Sequence, residues 1–442
     1  MKRVIIRSKL SFKALITLFD SLIKPIVLYG APILAPESTI WSSIINYTES
    51  ENKFSGNLIT SISRSVQEKV HLSFLKWALG VHRKATNVGV WGESGRTPLI
   101  YQSIRLSLNY LKRVESLDPS SLVSAALNEQ KTLNLPWYNK IKSIIKLDEI
   151  YSLDHVSAYR ILNPKSKIVK QPLTSNPVTP FNATLMEDMM LHTKKAKPIE
   201  SKKFRIGKIM AYLTDHFKKN WEHQKSTSSK LSFYHSIKSK FGREPYLETC
   251  KGFSRRYCTT QLRISAHDLQ IERGRYSNTP RENRICTWCQ TSMGISKIED
   301  ESHVLYECDL YAKYRSKLIT NLNKTPVLED CEHIQVTPSL GITTSNLKST
   351  LMPILTPNCT EYCDPQNINF HPHIHICQAS EIKPNTPAFT SLLRRRSYAI
   401  NCVCTYVFKC SEERKTFFES AKKSMIDERR FNKVTINLLR AT

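Results

Sequence analysis

The chain has 442 residues, and 65 Lys and Arg outnumber 38 Asp and Glu to give a net charge of +27. That length predicts two or three domains, and that charge predicts a polyanionic partner, nucleic acid before an anionic membrane. No apolar run reaches the ~18–20 residues of a membrane span, and no secretory signal is convincing. We therefore expect no membrane partner and predict a protein of the nucleus and cytoplasm, with its oligomeric state left open.

The first apolar pattern predicts a short helix. Apolar residues within 11–31 recur at helical spacing up to Ile23. Lys24-Pro25 is predicted to end this helix, because the residue before a proline disfavours the α-helical region. A short apolar segment closed by Gly30 follows.

Two further helices are predicted before residue 117. Residues 65–80 carry a leucine stripe, and Gly80 stands where a left-handed helix cap belongs. Thr97-Pro98 is typical of a helix start, and apolar spacing continues that helix to about Val114.

A cysteine and histidine motif is the most informative feature of the chain. Cys286 and Cys289 are followed after thirteen residues by His303 and after four more by Cys308. Two thiolates on a tight turn, with an imidazole and a thiolate about one helical turn apart, suit a tetrahedral Zn²⁺ site without an open position. The alternative is four unrelated residues in the half of the chain that holds all twelve cysteines. The motif predicts a structural zinc ion.

A basic strip leads into this motif. Residues 251–284 hold eight Lys and Arg against three acids. As a surface for nucleic acid, the arginines would pair with phosphates and a tryptophan would stack a base; as a solvated helix face they would do neither. We favour nucleic acid, and the predicted contact residues are Arg255, Arg256, Arg263, Arg273, Arg275, Arg281, Arg284 and Trp288.

The other cysteine and histidine groups are interpreted as structural or accidental. They are Cys359, Cys363, His371, His373, His375 and Cys377, and then Cys402, Cys404 and Cys410. The sequence has no phosphate-binding glycine loop, no His-Glu-x-x-His, no Gly-x-Ser-x-Gly and no adjacent Asp pair for a two-metal site. We therefore predict no catalytic residue and no small-molecule substrate.

Three blocks resemble the rear part of the polyprotein of non-LTR (LINE-type) retrotransposon reverse transcriptases. Residues 18–30 are similar to the segment after the polymerase palm, and residues 75–98 to the thumb-side helices that follow. Residues 262–276 resemble the lead-in to the family's terminal CCHC zinc knuckle, onto whose ligands Cys286, Cys289, His303 and Cys308 map. The spacer between Cys289 and His303 is longer than in a compact knuckle.

Residue patterns and the resemblance together predict a mainly α fold and six segments, of which the residues beyond about 330 match nothing in the family. They are a thumb-like helical domain (1–117), helical fragments with a linker (118–200), a basic helical connector (201–284), the zinc knuckle (285–320), a low-order Thr/Pro/Asn-rich region (321–410) and a C-terminal helix (411–442).

The function that the resemblance implies is binding of RNA, an RNA–DNA hybrid or target DNA during target-primed reverse transcription. The parent polyprotein would be an RNA-directed DNA polymerase, but the palm and its aspartates are absent here, so this chain alone is not expected to be an enzyme. Two alternatives stay open: a zinc-stabilised protein–protein interaction module derived from such an element, and a pseudogene product without function.

Overall fold

The computed structural model describes residues 10–34, 57–146, 205–250, 252–323 and 397–423. Within these ranges the chain is mainly α-helical and forms no β-strand beyond two isolated bridges, Ser94–Arg243 and Ile285–Ile298. The mainly α class expected from the sequence is confirmed at this level. No helix in these ranges is both long enough and apolar enough to cross a bilayer.

The helices are numbered in chain order. They are α1 (Phe12–Leu18), α2 (Lys24–Val27), α3 (Ala31–Leu34), α4 (Asn57–Arg64), α5 (Val66–Leu79), α6 (Asn87–Ser94), α7 (Leu99–Glu115), α8 (Leu122–Thr132), α9 (136–146), α10 (Ile206–Thr227), α11 (Ser232–Ile237), α12 (Tyr246–Thr249), α13 (Phe253–Arg263), α14 (Gln270–Tyr276), α15 (Thr287–Met293), α16 (Ala312–Asn323) and α17 (397–423). π-helical turns lie at Phe19–Ile23 and His303–Glu307, and short 3₁₀ turns at Ser229–Leu231, Arg281–Asn283 and Asp309–Tyr311.

The described residues divide into two compact units. The first contains residues 10–29, 57–99, 217–250, 252–323 and 397–423, and the second contains 30–34, 100–146 and 205–216. All of the candidate functional residues considered below lie in the first unit.

An aromatic cluster forms part of the core of the first unit. The rings of Trp91 and Phe217 lie 5.4 Å apart edge to face, and Phe241 meets Phe217 at 5.6 Å and Trp221 at 5.2 Å. Such pairs contribute about 0.5–1.5 kcal/mol each beyond their burial. The indole of Trp221 also donates a hydrogen bond to the Val88 carbonyl oxygen at 2.9 Å, so this buried polar group is satisfied.

A buried carboxylate connects α5, α6 and the start of α7. Glu68 accepts hydrogen bonds from the Trp91 indole at 2.9 Å and from the Leu99 backbone N–H at 2.7 Å. His71 Nδ1 lies 2.8 Å from the same carboxylate. The first N–H groups of a helix have no hydrogen-bond partner within that helix. Glu68 provides one for the Leu99 N–H at the start of α7.

The structure corrects the predicted helix end at Lys24-Pro25. The helix passes through the π-helical turn and continues as α2 with Pro25 in its first turn. The Lys24 N–H bonds to the Phe19 carbonyl oxygen, five residues back. A π-turn shifts the hydrogen-bond register, so a proline without an N–H is accommodated where an unbroken α-helix would lose a bond.

The structure also corrects part of the predicted low-order region. Residues 397–410 are helical and continue without a break into 411–423 as α17. Ile400, Val403, Val407 and Cys410 are buried at helical spacing. Residues 147–200 of the segment predicted to hold the linker, and most of the low-order region predicted at 321–410, lie outside the described residues.

Gly95 adopts a conformation that favours glycine. Its φ is +63°, and a Cβ added there would lie 2.2 Å from the Arg243 backbone nitrogen. We expect Gly95→Ala to lower the free energy of unfolding by about 2–5 kcal/mol, from the left-handed conformation and the clash together. Urea unfolding measures this loss.

Gly207→Ala is the matched control for this substitution. Gly207 lies in α10, where an added Cβ meets nothing within 4 Å. Alanine there is expected to leave stability unchanged or to raise it by up to about 1 kcal/mol. Equal effects of the two substitutions would contradict the close approach at Gly95.

Candidate metal centre

Cys286 and Cys289 are positioned by the start of α15. Cys286 is the N-cap residue, so Cys289 follows in the first helical turn. The Cys286 N–H donates to the Lys297 carbonyl oxygen at 2.7 Å, beside the isolated bridge between Ile285 and Ile298. This return of the chain after α15 shows how the thirteen-residue spacer brings His303 back to the two thiols.

His303 and Cys308 are brought together by a π-helical turn. Five residues of an α-helix place two side chains roughly 140° apart around the axis. The Cys308 N–H instead bonds to the His303 carbonyl oxygen at 2.8 Å, which closes a wider turn and brings the two residues to one side. Asp300 accepts a hydrogen bond from the His303 N–H at 2.9 Å and caps the start of this turn.

The four side chains form a compact, buried set of ligand atoms. All four atoms lie within 4.8 Å of one another, and each residue is at most 4% exposed. Cys289 Sγ lies 3.7 Å from Cys308 Sγ and 3.4 Å from His303 Nε2. A tetrahedral zinc site with normal bond lengths has S–S edges of about 3.8 Å and S–N edges of about 3.6 Å. The two measured separations therefore match the edges of such a tetrahedron.

The four side chains shift one another's pKa values. Hydrogen bonds from Cys308 and then from His303 outweigh burial and lower the pKa of Cys286 to about 4. Burial, together with the charge of Cys286, raises the pKa of Cys289 to about 11, and the hydrogen bond with Cys286 raises the pKa of Cys308 far above its usual value. Burial opposes the imidazolium, but the hydrogen bond and charge of Cys286 outweigh it and raise the pKa of His303. A metal ion would displace protons from the thiols and the imidazolium and would bond to all four side chains.

Residues outside the ligand set hold the π-helical turn in place. Arg315 donates to the Cys308 carbonyl oxygen at 2.7 Å, and the Tyr406 hydroxyl donates to the Leu305 carbonyl oxygen at 2.7 Å. Arg414 forms two hydrogen bonds with Glu299, just before the turn, at 2.8 and 2.9 Å. Tyr406 and Arg414 belong to α17, about a hundred residues away, so no local pattern predicts these contacts.

The structure gives two of the predicted nucleic-acid contacts a structural role. Arg263 is 1% exposed and bonds Glu93 at 3.1 Å and Glu244 at 3.0 Å. Arg256 is also buried and donates to the Leu10 carbonyl oxygen at 3.2 Å. Neither guanidinium can reach a phosphate while these contacts last, so both predictions are corrected.

Arg284 and Arg275 are partly used by the fold. Arg284 lies over Gly274, where a Cβ would come within 2.6 Å of it, and donates to the backbone oxygens of Thr279 and Ile271 at 2.9 Å. Arg275 bonds the buried Glu272 at 2.8 Å. These contacts give both arginines a structural role, and both side chains stay partly exposed to solvent.

The remaining predicted contacts are accessible. Arg273 and Arg281 are exposed, and Arg255 and Trp288 are half-buried. Arg281 lies 3.9 Å from Asp300, a distance at which an exposed ion pair contributes little. Their accessibility is compatible with nucleic-acid contact and does not test it.

Three cysteines outside the ligand set lie in α17. Cys404 and Cys410 are buried in α17, and Cys402 is half-buried there. No metal-ligating group other than the four-residue set occurs within the residues that the structure describes. The group from Cys359 to Cys377 lies outside them.

Comparisons with protein-family models, with curated proteins and with solved structures find no match for this chain. The site is therefore interpreted from its own geometry and charge.

Proposed function

We propose that this chain is a zinc-stabilised nucleic-acid-binding protein, corresponding to the thumb-side and zinc-knuckle part of a non-LTR retrotransposon reverse transcriptase. The observation that carries the zinc assignment is the buried set of three cysteines and one histidine, whose ligand atoms lie within 4.8 Å of one another and include two separations close to tetrahedral edges. Thiolate-rich four-ligand sites are typical of structural zinc. With all four positions taken by protein, the ion would stabilise the fold and would not bind a substrate.

The charge of the chain supports nucleic acid as the partner. A net charge of +27 favours binding to a phosphate backbone, and exposed arginines at Arg273 and Arg281 lie just before the zinc motif. In this proposal the chain binds RNA or DNA during target-primed reverse transcription. The described residues bind nucleic acid in this proposal and carry out no polymerase step.

Salt dependence tests the nucleic-acid proposal directly. We expect the full chain to bind fluorescein-labelled single-stranded RNA or DNA, measured by fluorescence anisotropy. Affinity should fall on the order of 100-fold between about 50 and 200 mM salt if about five phosphates are contacted. Absence of binding at low salt, or affinity independent of salt, would contradict the proposal.

An exposed apolar face favours a second candidate, a protein partner. Leu22, Ile26 and Tyr29 are 52%, 76% and 87% exposed, and they lie in the π-helical turn, in α2 and in the turn that follows it. Heparin separates the two candidates, because it competes for a phosphate-binding surface and leaves an apolar contact intact. Retention of a protein partner at a heparin concentration that removes nucleic acid would favour this second function.

A further inference from the structure

Tyr276 is a large aromatic side chain left open to solvent beside two lysines. It is the last residue of α14, and its side chain is 55% exposed. The ammonium groups of Lys84 and Lys230 lie 5.1 and 5.7 Å from the centre of its ring. An aromatic ring and two positive charges are thus presented together at one point of the surface.

A buried carboxylate fixes one side of this surface. Glu272, one helical turn before Tyr276, is buried and forms ion pairs with Lys230 at 2.6 Å and with Arg275 at 2.8 Å. Arg275 also donates to the Ser229 carbonyl oxygen at 2.9 Å. These contacts hold the Ser229–Leu231 turn against α14, so the position of Lys230 over part of the Tyr276 ring is set by the fold.

The other side is the exposed turn His82-Arg83-Lys84 between α5 and α6. Lys76 donates to the Arg83 carbonyl oxygen at 2.9 Å and so fixes the backbone of this turn. Burial lowers the pKa of Lys76 to about 8. Burial and then the charge of Lys230 lower the pKa of His82, as expected where positive charges are close together.

The surface has more positive than negative groups, and of its two acids Glu272 is buried and Asp268 is exposed. We name it the Tyr276 surface and define it by Lys76, His82, Arg83, Lys84, Lys230, Arg273, Arg275 and Tyr276. Asp268 and Glu272 are the carboxylates that face these groups. Since Glu272 is already paired with Lys230 and Arg275, the exposed charges of Arg83, Lys84 and Arg273 remain available to a polyanion.

We propose that the Tyr276 surface binds single-stranded nucleic acid, with an unpaired base stacked on the exposed part of the Tyr276 ring and the adjoining phosphates at Arg83 and Lys84. Stacking on an exposed aromatic ring needs a base whose face is free, which a duplex does not offer. A strip of lysine and arginine alone would suit any polyanion, but the ring at its centre favours a base. This inference rests on the proposed nucleic-acid function. It adds where the nucleic acid binds and that the bound strand is single.

Two oligonucleotides test the stacking part. One is a fluorescein-labelled single strand of mixed sequence, and the other is the same backbone with its bases removed. Tyr276→Ala in the full chain should weaken binding to the first by about 5- to 150-fold and leave binding to the abasic strand nearly unchanged. Tyr276→Phe should keep the affinity for both strands, because it keeps the ring.

Tyr29→Ala and Lys84→Gln complete the design. Tyr29 is more exposed than Tyr276, and its substitution should leave both affinities unchanged. Lys84 is exposed, and Lys84→Gln should lower the slope of log affinity against log salt by about 0.7, the value for one phosphate of a single strand. Thermal unfolding and zinc content of each variant show that the fold is kept.

The outcomes separate this inference from the proposed function. If the wild-type chain binds the base-containing strand and Tyr276→Ala binds it equally well, the inference is overturned and the proposed function stands. If the wild-type chain binds neither strand at low salt, the proposed function fails with it. Equal loss on base-containing and abasic strands, or preferential binding of poly-glutamate through Lys84, would assign the surface to charge alone and would also overturn the stacking.

Discussion

Removal of zinc is expected to unfold residues 280–316. The four ligands join the start of α15 to the π-helical turn, and the segment between them contains little regular structure. Apparent zinc-binding free energies of ~10–16 kcal/mol are as large as the whole stability of a typical domain, so the apo segment should not persist. Purified protein should contain one zinc ion per chain, and hydrogen exchange within 280–316 should accelerate after chelation.

Cys286→Ser tests the same site without a chelator. The variant should lose zinc and show the same local exchange, because one lost thiolate opens a closed four-ligand site. Cys402→Ser is the matched control, since Cys402 is a half-buried thiol outside the ligand set. Zinc absent from the wild-type chain, together with normal folding of Cys286→Ser, would refute the site.

The consequences of zinc loss should extend to α17. Arg414 and Tyr406 hold residues on either side of His303, and these contacts depend on the position of the π-helical turn. When the turn unfolds, the Glu299 carboxylate and the Leu305 carbonyl oxygen leave their partners. Hydrogen exchange in α17 should therefore also rise on chelation, by less than in residues 280–316.

The ligand set could be predicted from sequence because its signal is local and chemical. Cys286 and Cys289 show their spacing directly, and thiol and imidazole side chains have few other reasons to cluster. The turn that joins His303 to Cys308 could not be predicted, because a spacing of five residues does not match one side of an α-helix. Only the closed π-turn shows how the two residues converge.

The basic strip at 251–284 includes predicted nucleic-acid contacts that are buried, because residue type alone does not indicate burial. Arg263 and Arg273 are equivalent in the sequence, yet one is buried and the other is exposed. What distinguishes them is Glu93, which lies 170 positions before Arg263 in the chain. A long-range charge partner leaves no local pattern. The mainly α class, by contrast, follows from apolar spacing within each helix.

Arg263→Met is expected to destabilise the first unit strongly. Arg263 bonds Glu93 at 3.1 Å and Glu244 at 3.0 Å, and all three side chains are buried. Breaking a buried ion pair by removing one partner costs about 3–5 kcal/mol, because the remaining charge has no compensation. Lys238 still pairs with Glu244, whereas Glu93 keeps the Tyr246 hydroxyl at 2.6 Å.

Urea unfolding at neutral pH measures the loss of stability. The control is Arg273→Met, which replaces an exposed arginine and should change stability by less than about 0.5 kcal/mol.

The pH dependence of this variant identifies the cause of its instability. Burial raises the pKa of Glu244 even with Arg263 present, and loss of Arg263 removes the largest opposing charge. A carboxyl group whose pKa is higher in the folded than in the unfolded state binds more protons when folded, so its cost grows as pH rises and is relieved as pH falls toward the raised pKa. The stability difference between Arg263→Met and wild type should therefore shrink from pH 7 toward pH 5. If Arg263 contacted nucleic acid instead, the variant would keep wild-type stability at both pH values and lose only affinity.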